Sequence, residues 1–377
     1  MRVLDLPAGK SPREWGRIHG ESFRGEIKAL ADIRVYLCTK VGGFHGHDQV
    51  TAAAKRHLPV LERYHHGLYE ELLGIAEGAI VTPEEIVVAN HYTDLRDLDP
   101  DPERWQHAPT HDDPAMALMN AVAPGAESLG GDGCSMFFTP TASGRILAQT
   151  WDMHATAIPY VMILGVPESE DGPAARFLTV TGCLGMTGMN ASRVGIAINN
   201  LYSTDATLGI VWPAMVRRAL HMSSATEARD VIMNSPIGSG HHYFVADANE
   251  AFSIETSGTR RKIIWENGPR GEHAFCHTNH CLDGDIESRS KVPSASTTHD
   301  RMKYVQGGLQ GVEDLEDAWL LLGSDEGWPR SVCTNMATAE NPHGAATCGA
   351  VAMNLTTGEL WAQQGFVHNV APEKWQL

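Results

Sequence analysis

Several features are scarce or missing from these 377 residues. No CxxC pair occurs, which removes the usual knuckle of a structural zinc site. No apolar run approaches a membrane span: the longest, Ile158 to Val166, is short and carries a proline. The start, Met1-Arg2-Val3-Leu4-Asp5-Leu6-Pro7, lacks the apolar stretch of a secretory signal. Basic residues are outnumbered, 29 Lys+Arg against 46 Asp+Glu, for a formal charge of −17. A surface that acidic repels phosphate backbones, so nucleic acid and anionic membranes are poor partners. We find no internal repeat and no low-complexity segment. The seven cysteines are an odd count without an export signal, and free thiols in a reducing cytoplasm are expected. What is present suits a folded protein: 42% hydrophobic and 20% charged residues, enough for one large domain or two ordinary ones.

The first third reads helical. Ser11-Pro12-Arg13-Glu14 is a capping box with proline at the first helical position, followed by Trp15, Ile18, Phe23, Ile27 and Leu30 at helical spacing. A second helix carries Leu68, Leu72 and Ile75 on one face. Thr82-Pro83-Glu84-Glu85 opens a third, short one over Ile86 to Asn90. From Asp97 to Gly133 the chain turns acidic and proline-broken and ends in Gly130-Gly131-Asp132-Gly133, the best boundary candidate. Beyond Cys134 the pattern changes to strands. A hairpin is predicted over Met136–Phe138 and Arg145–Trp151, and a closing one over Ala350–Leu355 and Glu359–Ala362. Between them lie strand candidates at 160–164, 176–180, 194–199, 243–246, 251–255, 262–265 and 274–278. Helices are predicted at 213–221, 225–233, 296–306 and 315–322. Runs of strands followed by helices argue for an α+β fold.

The sharpest local feature is Gly130-Gly131-Asp132-Gly133-Cys134-Ser135. Glycines place close-approach backbone just before a cysteine that opens a strand. The cysteine's own thiol can attack the Gly133–Cys134 bond by an N-to-S acyl shift, and hydrolysis of the thioester then leaves Cys134 at a new N-terminus. An α-amine titrates at about 7.7–8.0, so it can serve as base for its own thiol. The alternative is a small buried cysteine at the start of a strand, with the glycines forming a turn.

The rest of the chain favours the first reading. Asp132-Gly133-Cys134-Ser135, Gln149-Thr150-Trp151-Asp152, Gly195-Ile196-Ala197-Ile198-Asn199-Asn200 and Cys276-His277-Thr278-Asn279-His280 resemble the isopenicillin-N acyltransferase (C45 peptidase) family of N-terminal nucleophile hydrolases. Trp15-Gly16-Arg17-Ile18-His19-Gly20 and the segment Tyr69 to Ala79 resemble its earlier elements, in the right order and nearly end to end. The resemblance implies a four-layer αββα sandwich with the nucleophile at the end of a central strand. Residues 1–133 would be the α-subunit and 134–377 the β-subunit of one folded unit. It puts Cys134 on the nucleophile and the bond after Gly133 on the self-cleavage site. Asp152 falls where a carboxylate holds the new α-amine, and Asn279 where a side-chain amide faces the oxyanion. The backbone near Asn199 and Asn200 is where a second donor is expected. Asn190 looks like a structural turn residue. For the active-site arginine the resemblance points to Arg301, with Arg330 next, since Val332-Cys333-Thr334 departs from the family pattern there. Gln149 replaces an arginine of the bile-salt and penicillin V branch, which favours the acyltransferase-like branch.

The function so implied is hydrolysis or acyl transfer on a small N-acyl amide through a Cys134 acyl-enzyme. No cofactor is required, and coenzyme A enters only as an acyl-thioester donor. The other partners expected are the two fragments themselves, with the oligomeric state left open. Three other readings compete. A zinc site at Cys276, His277, His280 and Cys281 has the right ligand types, but strand alternation sends them to opposite faces. An uncleaved Cys–His hydrolase has 19 histidines to draw on but shows no matching motif around Cys134. A catalytically silent binding protein would have no need of Cys134, Asp152 and Asn279 together. The pairs His65-His66 and His241-His242 are expected on the surface rather than as ligands.

Overall fold

Ser11 and Glu14 close the expected capping box, and Pro12 begins α1 (Pro12–Ser22). The computed structural model describes residues 1–101, 103, 133–268, 271, 273–368 and 370–377. The glycine approach at 130–132 and most of the acidic segment before it lie outside the described residues. Phe23 leaves the helical region, at φ −134° and ψ 35°, and separates α1 from α2 (Arg24–Val41), which the even apolar spacing does not reveal. Next come α3 (His47–Tyr64), α4 (His66–Ala79) and α5 (Pro83–Asp97). The sequence pattern misses α3, which carries Pro59 inside it, a residue that normally reads as a breaker. It also cuts α5 short at Asn90. This helix continues through a kink at His91 and is buried on every side from Ile86 to Arg96, so no amphipathic period marks its length. α1 and α4 cross with backbones nearly touching. A Cβ at Gly16 would lie 1.9 Å from the Glu71 carbonyl oxygen, and one at Gly74 would lie 2.2 Å from that of Arg13.

Two sheets form the centre. The larger runs β1 (Arg2–Asp5), β4 (Val161–Val166), β5 (Ala175–Val180), β6 (Thr187–Asn190), β7 (Gly195–Asn200), β9 (His241–Ala246), β10 (Ala251–Thr256), β11 (Arg261–Asn267). The smaller runs β12 (Phe275–His277), β2 (Gly133–Thr141), β3 (Gly144–His154), β14 (Ala345–Asn354), β15 (Glu359–Gln364), β16 (Glu373–Gln376). A short ribbon pairs β8 (Tyr202–Ser203) with β13 (Ser290–Lys291). Only β1 with β4 is parallel among the described pairs, so the first residues of the chain complete one edge of the larger sheet. Both predicted hairpins form, and the strands between them appear within a few residues of the expected bounds.

The sheets pack face to face, with β2 and β3 against β7 and β14 against β5 and β6. Gln149 of β3 joins them like an extra backbone rung: its Oε1 accepts from Ile198 N–H at 3.0 Å and its Nε2 donates to Ile198 C=O. Helices cover the outer faces. α7 (Ala225–Asn234) lies over β9 and β10, while α6 (Trp212–Ala219) packs on α5. Beyond the short α8 (Gly284–Glu287), α9 (Thr298–Gly308) and α10 (Leu315–Leu322) cover the smaller sheet. There Met302, Val305, Leu315 and Trp319 meet Phe137, Ile146, Ala148 and Ala350 in a second core. The architecture is therefore α+β in four layers, αββα. Asn190 is structural: its Nδ2 donates to the Leu220 and Met222 carbonyls while its Oδ1 accepts from Val194 N–H. No helix among the described residues is long and apolar enough to cross a membrane.

Candidate active site

Cys134 is the second residue of β2, an interior strand flanked by β12 and β3, and it is 3% exposed. The hairpin register sets Gly133 opposite Asp152 and Cys134 opposite Trp151. Asn279 follows β12 on the other side of β2, and Arg301 comes down from α9. Elements far apart in sequence thus converge on one peptide unit. The Cys134 N–H donates to Asn279 Oδ1 at 2.7 Å. The Cys134 C=O accepts from Arg301 Nη1 at 2.7 Å and from Asn199 Nδ2 at 3.0 Å.

Arg301 is fully buried, and each nitrogen of its guanidinium has a partner. Nε donates to Thr297 Oγ1 at 2.8 Å, Nη1 also reaches Ser135 Oγ at 3.1 Å, and Nη2 donates to Asn279 Oδ1 at 2.8 Å. Burial lowers its pKa, while Asp152 and Cys134 nearby oppose that shift. Asn279 Oδ1 accepts both the Cys134 N–H and the guanidinium, and Nδ2 donates to Asn200 C=O at 2.9 Å. An amide nitrogen carries two protons, so this bond leaves a second donor on Nδ2.

Asp152 is completely buried, and Thr347 Oγ1 donates to its Oδ1 at 2.8 Å. Its Oδ2 has no hydrogen-bond partner and lies beside Gly133, 3.1 Å from where a Cβ would sit on that residue. Burial pushes the carboxyl up to about 7, with Arg301, Thr347 and Thr150 pulling the other way. A carboxyl so poised can hold or release a proton near neutral pH at the residue before Cys134.

The expected residues Gly133, Cys134, Asp152, Asn199, Asn200, Asn279 and Arg301 therefore lie together. Arg330 does not join them: it is exposed and paired with Asp300 at 2.8 Å. One expectation is overturned. His241 and His242 are not a surface pair, since β9 is an inner strand covered on both faces and both residues are buried. Adjacent strand residues still diverge. His241 meets Asp94 at 2.7 Å, and His242 meets Asn199 Oδ1 at 2.7 Å. His65 is half-buried and accepts from Leu68 N–H at the start of α4, and His66 is exposed. The cysteines of the alternative zinc set part company: Cys276 packs on Met302, and Cys281 sits with Leu201 and Ile286. Thr347, Thr297 and His242 escape sequence reading. Thr347 and His242 support site residues from distant elements, and Thr297 holds Arg301 from the N-cap of the same helix, with no motif to announce any of them.

The four-layer α+β sandwich agrees with the fold expected of the N-terminal nucleophile hydrolases, and it sets Asp, Asn and Arg side chains around the peptide unit of a cysteine near the start of an inner strand. The sequence model of the acyl-coenzyme A:6-aminopenicillanic acid acyl-transferase family matches residues 139–357, more than half of the chain. The chain belongs to this family. The matched span starts just beyond Cys134 and contains Asp152, Asn199, Asn200, Asn279 and Arg301. The chain is 25% identical over 345 residues to the acyl-coenzyme A:6-aminopenicillanic-acid-acyltransferase 40 kDa form of Emericella nidulans, covering 88% of this chain and 84% of that protein. Among solved structures, a mutant of conjugated bile acid hydrolase from Clostridium perfringens aligns with a TM-score of 0.41 and 13% identity, over 65% of this chain and 92% of its own. Penicillin V acylase from Agrobacterium tumefaciens aligns with a TM-score of 0.33 and 10% identity, over 64% and 84%.

Proposed function

We propose that this protein is a self-processed cysteine amidohydrolase or acyltransferase acting on a small N-acyl amide or an acyl thioester. The observation that carries the reading is the Cys134 N–H, held 2.7 Å from Asn279 Oδ1 beside a buried Arg301, with Asp152 across the strand pair from the preceding glycine. Cys134 Sγ attacks the Gly133 carbonyl, the Gly133–Cys134 C–N bond breaks and the nitrogen gains a proton. Water then hydrolyses the Gly133 thioester to a carboxylate and frees the thiol, beside the α-amine that the first step released. Residues 1–133 and 134–377 become two chains of one folded unit, joined by β1 on β4 and by a shared core.

In turnover the α-amine takes the thiol proton while Sγ attacks the substrate carbonyl. Negative charge then develops on the carbonyl oxygen, and the spare Nδ2 proton of Asn279 is a donor for it. The α-ammonium passes its proton to the leaving amine, or to the thiolate of a coenzyme A donor, and an acyl-Cys134 thioester remains. Water yields the acid; an acceptor amine yields a new amide. The same residues serve both outcomes, and the nucleophile supplied decides between them. No cofactor enters any of these steps. An uncleaved Cys–His pair is less favoured because the imidazoles facing this region are engaged elsewhere. His277 is hydrogen-bonded through both nitrogens, and so is His242.

The test is a mass-spectrometric screen of N-acyl amides and acyl thioesters, with and without acceptor amines. The wild type should release acid, or exchange the amine when one is supplied, and trap an acyl group on the peptide that starts Cys-Ser-Met-Phe. A Cys134→Ala enzyme as active as wild type would defeat the proposal.

A further inference from the structure

A cluster of buried polar groups sits where the two sheets meet, directly behind Asn199. On the larger sheet His242 is the cross-strand partner of Asn199 on one side and of Glu255 on the other. From the smaller sheet His277 lays its ring parallel to that of His242, with centroids 3.7 Å apart and planes 7° apart. Asn199, His242, Ser253, Glu255 and His277 are all fully buried, so each polar atom depends on a protein partner.

Those partners assign the protons. Asn199 Nδ2 faces two carbonyl oxygens, Cys134 at 3.0 Å and His277 at 3.4 Å, which can only accept. Its Oδ1 therefore faces His242 Nδ1 at 2.7 Å, and the His242 proton belongs on Nδ1. The bare Nε2 accepts from the Ser253 hydroxyl at 2.8 Å. Burial and the neighbouring His277 hold His242 well below the usual imidazole range, which keeps it at one proton. His277 differs: Nδ1 points at Thr278 C=O at 2.7 Å and Nε2 at Glu255 Oε1 at 2.8 Å. Glu255 also accepts from Leu282 N–H at 2.6 Å and Asp283 N–H at 3.1 Å. His277 is thus held through both ring nitrogens by groups other than His242.

We propose that His242 is a positioning residue for the Cys134 chemistry. Its Nδ1–H fixes the flip of the Asn199 amide so that Nδ2, and not Oδ1, faces the Cys134 carbonyl. The inference rests on the reading of Cys134 as the nucleophile. Asn199 and Arg301 grip that carbonyl from two sides. Without that donor Asn199 Oδ1 is left unpaired in a buried site, only the two carbonyls hold the amide, and the backbone that aims the sulfur is held less firmly. A displacement of about 1 Å at a reacting centre costs on the order of 10²-fold, so losing one of two restraints should cost about tenfold.

His242→Phe keeps a ring to stack on His277 but has no donor, while His242→Asn returns an N–H near the Nδ1 position. Expected are a folded His242→Phe protein with kcat about tenfold lower at unchanged KM, and recovery of most of that loss in His242→Asn. Nitrogen-15 histidine NMR of the wild type should show His242 as a neutral Nδ1–H ring. Equal loss in both variants, alongside a parallel drop in melting temperature, would reduce His242 to packing and overturn the proposal. So would an Nε2–H tautomer. Should His242→Phe not fold, the wild-type NMR and Ser253→Ala decide, since losing the Ser253 donor frees Nε2 to take the proton. Reduced kcat in Ser253→Ala supports the role, and unchanged kcat opposes it. Activity retained in Cys134→Ala would sink the underlying function while leaving the tautomer result standing. Inactive Cys134→Ala and impaired Asn199→Ala beside a normal His242→Phe would sink only this inference.

Discussion

Asp152 can be tested apart from catalysis, in a Cys134→Ala background where the chain stays continuous. Burial raises its pKa to about 7, some three units above the ordinary aspartate value of about 3.9. At 1.36 kcal/mol per unit, ionising this carboxyl costs the fold about 4 kcal/mol. The sign follows from where the proton is held more tightly, which is in the folded state. Stability is greatest below about pH 4, falls as pH rises through the interval up to about 7, and the full penalty applies above it. Integrated between about pH 5.5 and 8.5, the penalty grows by about 2 kcal/mol. Asparagine does not titrate and keeps an oxygen for Thr347, so Asp152→Asn removes the slope and leaves other groups to cancel between the two proteins. Urea unfolding of both at the two pH values gives the double difference. Parallel stability curves, differing by less than about 0.5 kcal/mol, would mean that Arg301 holds Asp152 ionised throughout, and the account of this site would be wrong.

On denaturing gels wild-type protein should run as two pieces of about 14.5 and 26.5 kDa, by proportion of 133/377 in 41.0 kDa, and Cys134→Ala as one. Active wild type with an intact Gly133–Cys134 bond would exclude the amine as base. Asn279→Ala should lower kcat by about 10²–10³-fold if its amide donates to the oxyanion, and a rate near wild type would remove it from that role. Gly74→Ala should destabilise by about 3 kcal/mol or more without touching the site, because the new Cβ meets the Arg13 carbonyl. A melting temperature equal to wild type would show that α1 and α4 can part more easily than their packing implies.

Much of the site was legible in the chain because a turn, a cap or a hairpin is local. Gly133 and Cys134 sit before a strand pattern, and one hairpin suffices to bring Asp152 opposite Gly133. Motif order did the same for Asn279 and Arg301. Sequence put Arg301 ahead of Arg330 by resemblance alone; the packing of α9 on β2 supplies the physical reason, burying one and leaving the other on Asp300. Nor could it see that His241 and His242 are interior, because alternation says which way neighbours point but not whether both faces of a strand are covered. The proton on His242, the poise of Asp152 and the grip on the Cys134 carbonyl arise from atoms tens to hundreds of residues apart. Desolvation and hydrogen-bond matching act on neighbours in space, and strand pairing, the closing of one sheet upon the other and the packing of α9 made these residues neighbours.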